Sequence, residues 1–289
     1  MLPFGRSSAR VTFTSRMGAS RLPIVRRPKR VYGTHPDLPD HRNLHHEAPP
    51  HLCRRLPARV DLRPGPPIYT QGSLNSCSTN ALAAAMWFDE LKEGLRGASS
   101  PSRLFIYYNE RARTGRIGAN IPVSLRDGYK AVAGLGACPE PMWPYRVSAF
   151  ARRPGAACYR AGRVRRVTSY HRIRRELGPL RACLAEGYPF TLAITVYKSF
   201  ESAAVARTGR VPLPKRGERV LGGHAMLAMG YDDAAAAFIV RNSFGAGWGD
   251  AGHCLLPYDY VMRTDLAWDF WTARRVMPGR RRRSGTAAR

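Results

Sequence analysis

Apolar positions along the chain fall into two regimes. After Cys77, residues Leu82, Met86, Trp87 and Leu91 recur at short helical spacings, which predicts a helix with a buried face, ended by Gly94 and Gly97. Ser102 to Arg111 predicts a second helix with aromatic contacts. Ser124 to Val132 predicts a third, capped by Ser124 and stopped by Gly134 and Gly136. Beyond Gly162 the pattern becomes β-rich, with strands expected over Pro189 to Tyr197, Ala225 to Tyr231, Phe238 to Arg241 and His253 to Leu256, and Asp232-Asp233 reading as a hairpin turn. Residues 1–56 carry many prolines and charges with little periodicity and read as an extended basic arm. A packed domain is expected from near Arg59-Val60-Asp61-Leu62-Arg63. A helical first half followed by a strand-rich second half implies an α+β protein of two lobes with a cleft between them.

At 289 residues, 44% of them hydrophobic, the chain can bury a substantial core. Its longest apolar stretches, Phe190 to Val196 and Ala225 to Met229, fall far short of the ~20 residues that a membrane-spanning helix needs, so no span is expected. The formal charge of +27 is concentrated at the N-terminus, in Arg152 to Arg175, and in the tail Arg274, Arg275, Arg280 to Arg283 and Arg289. Such runs make nucleic acid a candidate anionic partner, against the plainer reading of solvated basic arms. Six cysteines without a C-x-x-C pair point away from a zinc ribbon or a disulfide framework and toward a reducing compartment, cytoplasm or virion. Cys138, Cys158 and Cys183 are expected as free thiols, a Cys138 to Cys158 bridge being the alternative. The Arg-rich, acid-free start through Tyr32 weakly resembles a mitochondrial transit peptide. His45, His46, His51 and Cys53 form a loose cluster that a proline-broken loop explains without a metal. His253 and Cys254 are expected in the core or on the sheet face.

The chemistry concentrates in three segments. Cys77 ends Gln71-Gly72-Ser73-Leu74-Asn75-Ser76-Cys77 and opens the first helix, where free backbone N–H groups and the helix dipole favour a thiolate. His224 follows Gly222 and Gly223 and is expected to begin an apolar strand, the glycines leaving room for a substrate backbone. Asn242 offers a side-chain oxygen to fix the imidazole tautomer. Gln71 offers an amide that, with the Cys77 backbone N–H, would stabilise an oxyanion. A nucleophile, a base, its orienter and oxyanion donors are the parts that thiol acyl transfer requires. Trp248 is expected as a cleft-wall residue.

These segments resemble the papain-like cysteine peptidases: Gln71-Gly72 with Ser76-Cys77, then Gly223-His224-Ala225, then Asn242-Ser243 and Gly247-Trp248-Gly249, in the order Cys, His, Asn. Val60-Asp61-Leu62-Arg63, Trp143-Pro144-Tyr145 and Leu255-Leu256-Pro257-Tyr258 extend the likeness. Gly33 to Arg42 is similar to a lead-in of bacterial and viral members. The resemblance implies a papain-like two-lobed fold over residues 57–272, with a helical N-terminal lobe, an antiparallel β-barrel-like C-terminal lobe and the active site in the cleft. The N-terminal arm (1–56), a prosegment or lead-in, would precede it, and an Arg-rich tail (273–289) would follow. It implies a cysteine endopeptidase acting as a monomer on polypeptides with no cofactor, through Cys77, His224, Asn242 and Gln71. The chain departs from the family at Asn75 and Ser78, where glycine and tryptophan are usual, and at Phe244, where a tryptophan shields the asparagine. Gly118-Ala119-Asn120-Ile121-Pro122 resembles the family's Gly-Cys-Asn-Gly-Gly stretch but departs at Ala119, which removes a disulfide cysteine, and at Ile121-Pro122, which replace glycines that bind substrate backbone, Pro122 having no N–H to give. The arm is too short and proline-rich for the family's helical inhibitor, so Gly33 to Leu56 is expected to pack along the domain. The alternatives are a catalytically weak scaffold acting as a basic, nucleic-acid- or virion-associated binding protein, and a thiol acyltransferase or amidase.

Overall fold

In the computed structural model, which describes residue 30 and residues 32–276 other than 51, 53, 54 and 96, the β-branched and aromatic runs form strands. They are β1 (Arg59–Asp61), β2 (Val167–Arg172), β3 (Phe190–Tyr197), β4 (Val220–Asp232), β5 (Ala237–Arg241), β6 (His253–Pro257) and β7 (Ala267–Val276). The strands pair antiparallel in the order β2-β7-β3-β4-β5-β6, with β1 added against β4. β4 is longer than its apolar run predicts, so His224 lies inside the strand, opposite Ile194 of β3, and not at its start. The β4–β5 connection runs through Asp232-Asp233 as expected, with Asp232 Oδ1 accepting from the Ala234 backbone N–H.

Three helices cover one side of the sheet: α1 (Cys77–Lys92), α2 (Arg103–Ala112) and α3 (Leu125–Leu135). Ser102 and Ser124 cap α2 and α3, each side-chain oxygen accepting a first-turn backbone N–H from Phe105 and Asp127. α1 is buried on nearly every side through Ala81 to Met86, because these mostly small side chains let the helix approach β4 closely. Leu91, expected on the buried face, is 47% exposed; the alanines supply that face instead.

β4 separates two cores. Ala225, Leu227 and Met229 pack with α1, while Met226 and Ala228 face β3, β5 and β6 on the other side. The short helices α4 (Ala156–Arg163), α5 (Leu177–Ala185), α6 (Ala203–Thr208) and α7 (Tyr258–Met262) complete the fold and have no strong sequence signal. β7 also escapes the sequence pattern, because Asp269 interrupts its apolar run with a left-handed backbone (φ 55°) and arginines end it. Arg274, grouped with the tail on sequence, lies in β7 and pairs with Glu186 at 2.7 Å.

Much of the basic character is consumed internally. Arg111 is fully buried and donates to the carbonyls of Tyr107, Ile117, Ala119 and Phe150. Arg165 pairs with buried Glu90, and Arg241 donates to the carbonyls of Pro66 and Pro67. Arg172 meets Asp269 at 2.9 Å. The terminal arginines of the two basic arms lie outside the described residues, as do His51 and Cys53. Among the described residues no helix is long and apolar enough to cross a membrane.

Candidate active site

Cys77 stands at the first position of α1, so the backbone around it has donors to spare. Its sulfur lies 3.1 Å from Thr34 Oγ1, and the backbone N–H groups of Ser78 and of Ala225, the residue after His224, are near enough to favour negative charge on it. The thiol is nonetheless held above its ordinary pKa. Burial raises it, the Thr34 hydroxyl and the two backbone donors lower it, and Glu110 adds a repulsive contribution. The thiolate expected from the helix N-terminus is therefore not the favoured form in this arrangement, because desolvation outweighs the local dipoles.

His224 is completely buried, and its Nε2 lies 2.8 Å from Asn242 Oδ1. The same Asn242 atom takes the Ser243 backbone N–H at 2.7 Å. A backbone N–H only donates, so that atom is the amide oxygen, and His224 Nε2 must be the protonated nitrogen. Nδ1 is left bare, buried and without a hydrogen-bond partner among the described residues. Burial pushes the imidazole down to about 4; the Asn242 hydrogen bond opposes this and Arg30 reinforces it. Phe244 stacks on the His224 ring with centroids 4.9 Å apart, and Trp248 meets Phe244 edge-on at 5.6 Å. Phe244 thus fills the shielding position, against the imidazole.

Gln71 is buried beside these residues. Its Nε2 donates to the Leu74 carbonyl at 2.9 Å and its Oε1 accepts from Ser243 Oγ at 2.6 Å, so Ser243 links Gln71 to the His224–Asn242 pair. Tyr145 adds a second tie: its hydroxyl donates to the Gln71 carbonyl at 2.9 Å and lies 2.6 Å from Ser76 Oγ. Arg103 stacks on Tyr145 and on Tyr69. Ser243 and Tyr145 were legible on sequence only as parts of motifs. The roles they play need the fold.

The departure at Asn75 is answered by Asn120. The Asn75 backbone N–H donates to Asn120 Oδ1 at 2.8 Å, and Asn75 Nδ2 donates to the Asn120 carbonyl at 2.7 Å. Ser78 is buried, its hydroxyl without a partner among the described residues.

The arm crosses this site. No helix occupies residues 32–49, and the backbone N–H groups of Gly33 and Thr34 both donate to the Gly223 carbonyl, at 3.0 and 3.1 Å. A Cβ on Gly223 would come within 1.8 Å of the Thr34 carbonyl oxygen, so glycine is what lets the arm lie flat on β4. Tyr32 meets the His224 ring edge-on, and a Cβ on Gly33 would touch the Pro122 ring at 2.8 Å. Beyond the cleft the arm does run along the domain, the Asp37 backbone N–H donating to Asp269 and its carboxylate accepting from Trp271 Nε1. Thr34 was not singled out on sequence, and nothing in its local pattern distinguishes it.

No family model matches the chain. An uncharacterized peptidase C1-like protein of Acanthamoeba polyphaga mimivirus is 37% identical over 214 residues, spanning 71% of this chain and 69% of that protein. This chain belongs to the papain-like cysteine peptidases. Xylellain, a cysteine protease from Xylella fastidiosa, is also 37% identical and superposes with a TM-score of 0.81 over 86% of this chain and 97% of its own. A procathepsin B from Trypanosoma congolense, 14% identical, has a TM-score of 0.68 over 84% of this chain and 85% of its own, which shows the shared fold alone. In this papain-like chain the remaining thiols Cys138, Cys158, Cys183 and Cys254 are free and buried. His46 is buried within 2.9 Å of Glu186 Oε1 and accepts from Arg274. His253, at the start of β6, is pushed down to about 4 by burial and nearby arginines.

Proposed function

We propose that this peptidase cleaves peptide bonds through a thiol acyl-enzyme, with Cys77, His224, Asn242 and Gln71 as the working residues. The observation that carries this reading is the His224 tautomer: Nε2 is committed to Asn242 Oδ1 while Nδ1 is bare. His224 Nδ1 takes the Cys77 proton as Sγ attacks the substrate carbonyl carbon. The oxygen of that carbonyl gains negative charge, which Gln71 Nε2 and the Cys77 backbone N–H stabilise. The imidazolium then protonates the leaving amine, and water hydrolyses the thioester with His224 as base. Asn242 keeps the ring oriented throughout.

The group that now faces Sγ is the Thr34 hydroxyl, which offers no carbonyl carbon to attack. Arg30 and residues 32–34 must therefore leave the cleft before a substrate enters. Departure would also readmit water, relieving the desolvation that holds thiol and imidazole neutral and allowing the ion pair to form.

Labelling with an epoxide thiol probe tests the assignment. Cys77 is expected to be the modified residue, and Cys77→Ala to abolish both labelling and peptide hydrolysis. Hydrolysis that persists in Cys77→Ala would refute it.

A further inference from the structure

Glu201 ends a 3-10 turn, Lys198–Glu201, that follows β3. Its carboxylate is bound by the arm from two directions: Arg30 Nη1 donates to Oε2 at 2.6 Å, and the Tyr32 hydroxyl donates to Oε1. The guanidinium of Arg30 also lies over Phe244, its Cζ 3.9 Å from the ring centroid. An exposed ion pair would mean little. Here the Arg30 and Glu201 side chains are 17% and 27% exposed, and an aromatic face backs the cation. Beside Arg30 a cavity of about 250 Å³ remains, walled by Gln71, Gly72, Ala206, Phe244 and Trp248.

Phe244 fixes where this pocket stands relative to the chemistry. It stacks on His224, the ring that would protonate the leaving amine, so the pocket sits on the leaving-group side of the scissile bond. We infer that Glu201 and Phe244 form a specificity pocket for an arginine side chain in the substrate, one or two residues after the cleaved bond, and that Arg30 occupies this pocket when the arm is seated. The inference rests on the peptidase reading above and adds a substrate class to it. Arginine suits the pocket better than lysine, because a planar guanidinium can stack on Phe244 and pair with a carboxylate at once. The chain's charge of +27 would by itself draw acidic peptides, but that long-range field is largely screened at 0.15 M salt while the contact with Glu201 is not.

The test uses the full chain and internally quenched peptides at 0.15 M salt, differing only in the first or second residue after the cut: Arg, Lys, Ala or Glu. Seating of the arm scales the rate on every peptide alike, so the readout is the ratio of kcat/KM between peptides. Arg is expected over Ala by about tenfold, with Lys intermediate and Glu lowest. Glu201→Gln should collapse the Arg to Ala ratio toward one, and Glu201→Arg should reverse the order in favour of Glu, which a merely structural residue would not do. Ratios within twofold in the parent chain, or unchanged in Glu201→Gln, overturn the inference while leaving the peptidase reading intact. No cleavage of any peptide together with an unlabelled Cys77 would sink the peptidase reading, and the pocket with it.

Discussion

Glu110 provides a pH-dependent test of how the candidate site is supported from behind. It lies on α2, completely buried, with Oε2 accepting from Thr79 Oγ1 of α1 at 2.7 Å and Oε1 without a partner among the described residues. Burial pushes its carboxyl up to about 8, the Thr79 hydrogen bond and Arg111 only partly opposing it. A carboxyl whose folded pKa lies above its unfolded value of 4.5 holds its proton in the folded state, so stability falls as pH rises from 4.5 to 8 and the whole penalty is present above 8. At about 1.4 kcal/mol per pKa unit the total is of order 5 kcal/mol, of which about 2–3 kcal/mol accrues between pH 5 and pH 7. Glu110→Gln removes the titration while keeping shape and an acceptor for Thr79. The Tm of Glu110→Gln minus that of the parent chain should therefore climb by about 4–10 °C from pH 5 to pH 7, read by thermal melts in constant salt. A difference that stays flat across this range would show that Glu110 does not titrate in the folded protein, and would refute the argument. Because an ionised Glu110 also repels the Cys77 thiolate, the variant should label faster than the parent above pH 8.

The remaining expectations concern the donors, the arm and the buried charges. Gln71→Ala should lower kcat by about 10²- to 10³-fold in a chain that still folds, and a parent-like kcat would remove Gln71 from the oxyanion site. Gly223→Ala places a methyl against the Thr34 carbonyl, so the arm should lift and iodoacetamide should modify Cys77 faster; an unchanged rate in a normally folded variant would count against the arm as a cover. Glu90→Gln leaves the mostly buried Arg165 without its counter-charge and should destabilise the chain by about 3–5 kcal/mol in denaturant titrations, whereas a loss below about 1 kcal/mol would mean that the pair is solvated.

What the sequence determined by itself was local. Helical spacing after Cys77, the serine cap at Ser124, and alternating or continuous apolar runs at β3 to β6 depend on neighbours a few residues away, so they could be read without a fold. Cys77, His224, Asn242 and Gln71 stood out because glycines, helix starts and strand ends flank them in a recognisable order. The tertiary structure decided what depends on distant partners. β7 became a strand because β2 and β3 flank it on either side, not because of its own pattern. Arginines that looked like a charged surface became buried staples once Glu90 and several carbonyl groups were brought to them. Cys77 and His224 are each pushed toward the neutral form because the residues packed around them, Thr34 and Tyr32 among them, exclude water. Desolvation and long-range pairing are sums over residues that only folding assembles, and no window along the chain contains them.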